Sequence, residues 1–312
     1  MTRKVIGTTL AAIVILTGMI GSAAGQTVID KKVDSLFVIA SSGEAKFQKF
    51  VQPAVDSLGA MGLEVVPYMI KKLDTKSPRE RIALIAVLKK VGSPAVPQLI
   101  ASLKLINGLS VERACMALAE IADSSSVPAL NVAATHPRWR VREEALGALG
   151  KIHDPRSSDV VINALQDSIG LVRKAAAVAD GQMKLGQSTA MLVHMLGDDF
   201  YGARMCAAAS LLKLDTSAAV KTVMDSLNSS NQLVGNLGCY VLGQLGTPEA
   251  LDALLYQTEA SNPDRRAHAA EALVAADSTD QTCYQSICFP LETDPLVRLK
   301  VESAMAAHDH GR

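Results

Sequence analysis

"VREEALGALGKIHDP" runs from Val141 to Pro155. Its apolar residues fall three and four apart, the spacing of one face of an α-helix, and Asp154-Pro155 then breaks the pattern into a turn. Similar phrases flank it: "VERACMALAEIADS" from Val111 and "VRKAAAVADGQMKLG" from Val172. A chain that repeats one amphipathic phrase builds one supersecondary unit many times over.

The register fixes the period. Ala145 marks a first slot, also filled by Leu84, Ala114, Ala176, Ala207, Gly238, Ala269 and Val301. Four residues later the second slot holds Leu88, Leu118, Leu149, Asp180, Leu211, Leu242, Leu273 and Met305. The steps are 30, then 31 five times, then 32. Small residues in the first slot let neighbouring helices approach closely.

Punctuation divides each unit into two helices. Ser77-Pro78, Asn262-Pro263 and Asp294-Pro295 place a capping side chain before a proline at the first helical position. Val66-Pro67, Val96-Pro97 and Val127-Pro128 open the second helix. Each helix is expected to be about 10–14 residues long. One such hairpin cannot bury its apolar stripe alone, and stacking buries it. The expected fold is all-α: a right-handed α-solenoid of about eight two-helix repeats with a period of about 31, plus a terminal helix. The repeats occupy 44–308, after a short amphipathic cap at 26–43 and before a polar tail at 309–312, and read as one continuous domain.

The pattern Val-Arg-x-x-Ala-Leu-x-Ala-Leu-Gly-x-Ile, then Asp-Pro, with a second helix such as "AVPQLIASL" from Ala95, resembles the HEAT-like repeats of the phycobilisome-lyase type, within the armadillo/HEAT superfamily. The resemblance runs from about residue 44 to the end. It implies a binding scaffold, since most members of that superfamily are scaffolds and a few are enzymes. Fold alone does not choose between these.

The first residues read separately. Arg3 and Lys4 precede a charge-free stretch, the apolar run "LAAIVIL" at 10–16, and small residues "GSAAGQ". That order is expected of a secretory signal peptide over 1–25, cleaved near Ala24-Gly25. Basic and acidic residues balance at 31 each in the full chain and at 29 against 31 after cleavage. Such a balance gives no field to attract nucleic acid or an anionic membrane, so the membrane is met only in transit. Of the five cysteines, Cys115, Cys206 and Cys239 sit in apolar helical runs as small apolar residues. Cys283 and Cys288 are the only close pair, and an exported chain permits their pairing.

No reaction is written in the chain. None of the six histidines precedes a glutamate, so the His-Glu iron motifs of HEAT-repeat hydroxylases are missing. No HExxH, GxSxG or P-loop pattern occurs, and neither a catalytic residue, a metal nor a cofactor is expected. His308-Asp309-His310 reads as a frayed tail. Asp180, in a slot held by Leu in six other repeats, either marks a site or is exposed by an early bend at Gly181; the bend is favoured. Arg81, Arg142, Arg173, Arg204, Arg266 and Arg298 share the position three before the first slot and read as inter-repeat structural residues, pairing with acidic or carbonyl groups. Two clusters stand out as partner-binding: Arg138, Trp139 and Arg140, and Phe200 with Tyr201. Trp139 and Tyr201 both lie six before the first slot, which places them at helix starts along one edge. The function expected is an exported, non-catalytic scaffold for a protein or peptide partner. The alternative is a HEAT-like repeat enzyme or subunit of the bilin-lyase or oxygenase kind.

Overall fold

The computed structural model describes residues 29–214, 216–276, 289 and 292–310. The expected signal peptide, cleavage site included, lies outside the described residues, as do the Cys283–Cys288 pair and the last two residues of the polar tail. Regular structure among the described residues is entirely helical. The chain divides into two compact units, residues 1–123 and 124–312.

The first unit holds α1 (29–40), α2 (Gln48–Gly59), α3 (Val66–Lys71), α4 (Pro78–Val91), α5 (Val96–Ser102) and α6 (Gly108–Ile121). The cap is thus a helix, and it buries Val33, Phe37 and Ala40. Helix α4 packs on α2 and on α6. The second unit holds α7 (Val127–Ala133), α8 (Trp139–Ile152), α9 (Ser158–Ala164), α10 (Gly170–Met183) and α11 (Thr189–His194). It continues with α12 (Tyr201–Leu211), α13 (Thr216–Ser226), α14 (Gln232–Leu245), α15 (Pro248–Gln257), α16 (Pro263–Ala275) and α17 (Pro295–His310). There α8, α10, α12, α14, α16 and α17 stack in chain order.

The two slots are the core. From Leu84 to Val301 every first-slot residue is buried, and so is every second-slot residue from Leu88 to Leu273; Met305 is half-buried. Burying a Leu side chain contributes about 1.5–3 kcal/mol, so the repeated pattern itself holds the stack. The helix starts are capped where the sequence places a cap. Ser77 accepts from the Glu80 N–H at 3.3 Å, Asn262 from Asp264 at 2.9 Å and Asp294 from Leu296 at 2.9 Å. Several first helices end on a left-handed residue whose N–H returns to the carbonyl four back. Gly246 takes that conformation freely, whereas Ala122, His153 and Lys184 adopt it at a cost of about 1 kcal/mol each.

Three expectations change. The second helices α3, α5, α7, α9 and α11 have six or seven residues rather than ten or more. A 3₁₀ turn precedes each of them and uses the residues that an α-helix of full length would need. Helix α17 continues through Asp309 to His310, so the polar tail begins in helix. Finally, α10 does not bend at Gly181, and Asp180 is completely buried. The glycine serves packing instead. A Cβ at 181 would come within 2.7 Å of Ser210 Cβ on α12.

Candidate functional site

The arginine row forms a ladder in the second unit. Arg142 donates Nε and Nη2 to the two carboxylate oxygens of Asp167, both at 2.7 Å, and Nη1 to the His136 carbonyl at 2.9 Å. Arg173 repeats this on Asp198 at 2.6 and 2.7 Å and on the Asp167 carbonyl at 2.8 Å, and it also pairs with Asp199. Arg266 does so on Glu292 at 2.8 and 3.2 Å and on the Ala260 carbonyl at 2.9 Å. In each case one edge of the guanidinium is a fork that fits a carboxylate, and Nη1 anchors to the carbonyl six residues back. Arg298 has the carbonyl anchor, Glu292 O at 3.0 Å. Arg81 occupies the same position in the first unit with no such clamp among the described residues.

The carboxylates have a second task. Asp167 accepts the Ile169 N–H at 2.9 Å, Asp198 the Phe200 N–H at 2.7 Å and Glu292 the Asp294 N–H at 2.8 Å, which shapes the turn before the next first helix. Burial alone would raise the Asp167 and Asp198 carboxyls, but the arginine fork and the turn N–H outweigh it and hold both below the usual range. The Arg266 fork does the same for Glu292.

Across α12, α14 and α16 runs a groove of about 500 Å³. Tyr201, Arg204 and Met205 line it from α12; Leu233, Asn236, Leu237 and Tyr240 from α14; His268 and Glu271 from α16. Tyr201, Leu233 and Tyr240 are 65%, 44% and 42% exposed. The Arg204 guanidinium lies 5.3 Å from the Tyr201 ring centroid. Helix α14 therefore has two apolar faces: Val234, Gly238, Cys239 and Leu242 are buried in the core, and Leu233, Leu237 and Tyr240 face the groove. A helix apolar on both sides was the available signal for this site.

Only Tyr201 of the five residues singled out as partner-binding lines the groove. Trp139 and Tyr201 are each the first residue of their helix. Trp139 is half-buried, with the Arg140 guanidinium 5.1 Å from its ring centroid, and Arg138 stands at the N-cap position of the same helix. Phe200 packs its ring against Gly170, where a Cβ would come within 2.6 Å of it. Cys239 is buried and its thiol is pushed up to about 12 by that burial; Cys206 is half-buried. Among the described residues no three His, Cys, Asp or Glu side chains converge as a metal site. Among them, too, no single helix is long and apolar enough to cross a membrane.

A family model described as HEAT repeats matches residues 112–181 and 189–274, half of the chain. The chain belongs to the HEAT-repeat family. No curated protein matches it. Among solved structures, human deoxyhypusine hydroxylase in complex with glycerol is similar at 21% identity, covering 81% of this chain and 99% of its own, with a TM-score of 0.36. The complex of CpcE and CpcF of phycocyanin lyase from Nostoc sp. PCC7120 is 17% identical over 78% of this chain and 94% of that one, with a TM-score of 0.40. A designed armadillo repeat protein is 15% identical over 58% of this chain and all of its own, with a TM-score of 0.37. This HEAT-repeat chain is thus a helical scaffold whose second unit carries an open apolar groove.

Proposed function

We propose that this protein is an exported, non-catalytic HEAT-repeat scaffold that binds a segment of a partner protein in the groove across α12, α14 and α16. The observation that carries the reading is the cluster of Tyr201, Leu233 and Tyr240, large side chains held in solvent on neighbouring helices. A monomeric protein gains nothing by leaving them uncovered, and aromatic anchors carry much of the energy of interfaces. Short random peptides displayed on phage and selected on the full chain test it. Tyr240→Ala should weaken the selected peptides by about tenfold or more with the melting temperature nearly unchanged. Peptides that bind the variant undiminished, or a selection that yields none, would count against the groove.

The helix-start edge is a second contact in this proposal. Trp139→Ala is expected to weaken a full-length partner by about 2 kcal/mol. A large drop in melting temperature with affinity intact would make Trp139 a packing residue instead. Export rests on Arg3 and Lys4, the apolar run at 10–16 and the small residues before Gln26. Mass spectrometry of the protein from its native host should find a chain that starts near Gln26. An intact Met1 would place the protein inside the cell or on an anchor.

A further inference from the structure

We infer that the groove holds an acidic side chain of the partner on Arg204, filling a rung of the arginine ladder that the described residues leave empty. The inference rests on the groove reading above and adds the chemistry of the occupant.

Arg142, Arg173 and Arg266 each take a carboxylate 25 or 26 residues further on, at Asp167, Asp198 and Glu292. Counting 25 from Arg204 reaches Ser229. Ser229 keeps half of the acid's role: its Oγ accepts the Asn231 N–H at 3.2 Å, as Asp167 and Asp198 accept theirs. It cannot supply the other half, because a hydroxyl does not span a guanidinium fork. Arg204 is nevertheless held like its neighbours, with Nη1 on the Asp198 carbonyl at 2.6 Å and its plane by the Tyr201 ring. Its Nε and Nη2 have no acceptor among the described residues. The fork is therefore pre-positioned and open, and it borders the apolar groove. Arg81 has neither a carboxylate nor a carbonyl anchor among the described residues, so its fork is not held in place as that of Arg204 is.

Charge complementarity decides the occupant. This chain fills the same fork three times with an Asp or Glu side chain, so the partner's group is an acidic side chain, with an apolar neighbour for Leu233 and Tyr240. Glu271 on α16 repels a second acid and sets the direction of the segment; His268 beside it is tied to the Asp264 carbonyl at 2.7 Å.

The test restores the rung. Ser229→Asp should clamp Arg204 from within, raise the melting temperature, and weaken the selected peptides about tenfold or more. Arg204→Gln should weaken them similarly. The synthetic peptides are amidated at the C-terminus, so that only side chains carry carboxylates. Replacing their Asp by Asn, or Glu by Gln, should cost the same factor and leave nothing further to lose in Ser229→Asp. Peptides without an acid, or a Ser229→Asp chain that melts no higher and binds as wild type, would overturn the inference. If those peptides still lose affinity on Tyr240→Ala, the groove stands and only the open rung fails. Insensitivity to both substitutions sinks both readings.

Discussion

Near neutral pH the Asp180→Leu variant is expected to unfold about 6–12 °C above the wild type, a gain of about 3 kcal/mol. Asp180 is completely buried, and among the described residues neither carboxylate oxygen has a hydrogen bond. The Ser188 hydroxyl nearby donates at 2.6 Å to the Leu185 carbonyl instead. Burial, the larger effect, pushes the carboxyl up from 3.8 to about 6, against a lowering by Ser188. Ionising it in place therefore costs about 1.4 kcal/mol for each unit of that shift. Leu has the branching of Asp with bulkier methyl ends, and this slot accepts it in six other repeats, so the exchange removes the charge at a position built to hold an apolar side chain.

The pH dependence gives the sign. The folded pKa of Asp180 lies above the unfolded one, so the stability linked to its proton is complete below about 3.8 and lost as pH rises through about 6. The advantage of the Asp180→Leu variant over the wild type should shrink across that window as the pH is lowered. Asp167, Asp198 and Glu292 run the opposite way: their stabilisation is present above the ordinary carboxylate range and is lost as pH falls through their lowered values. Thermal melts of both proteins across this range check the pair of trends. A less stable Asp180→Leu protein would show that the carboxylate has a partner in solution, such as a bound cation.

How far the sequence carried the fold follows from what each signal depends on. The helix starts at Pro78, Pro263 and Pro295 and the buried slots around Ala145 and Leu149 are local or periodic, and both are legible from a single chain. Asp180 was misread because Gly181 looks like a helix end, while its real cause, Ser210 lying against it, is on another helix. The arginine row was visible by its period of 31, but the acids sit 25 residues on, in turns, and pairing them needed coordinates. The groove was missed for a related reason. Leu233 and Tyr240 count as ordinary apolar residues until α12 and α16 are placed beside them without covering them.

Leu149→Ala is expected to destabilise the second unit by about 4–5 kcal/mol, the upper part of the range for buried Leu truncations. Leu149 is fully buried in α8, in the second slot. How much such a change costs depends on how far the surroundings relax into the space. Here they cannot close up. Helices α8 and α10 already touch at Gly150, where a Cβ would lie 2.8 Å from Ala179 Cα, so backbone meets backbone one residue away. The space left by the Leu side chain stays open and its lining loses contacts outright. Lys151, two residues on and exposed, should tolerate Ala within about 0.5 kcal/mol. Urea unfolding followed by circular dichroism measures both. Because stability in stacked repeats is a sum of local terms and nearest-neighbour interfaces, a weakened repeat at α8 should also broaden the transition or split it in two, lowering the apparent slope with denaturant. Equal and small effects of Leu149→Ala and Lys151→Ala would mean that the face containing Ala145 and Leu149 is not the core face of α8.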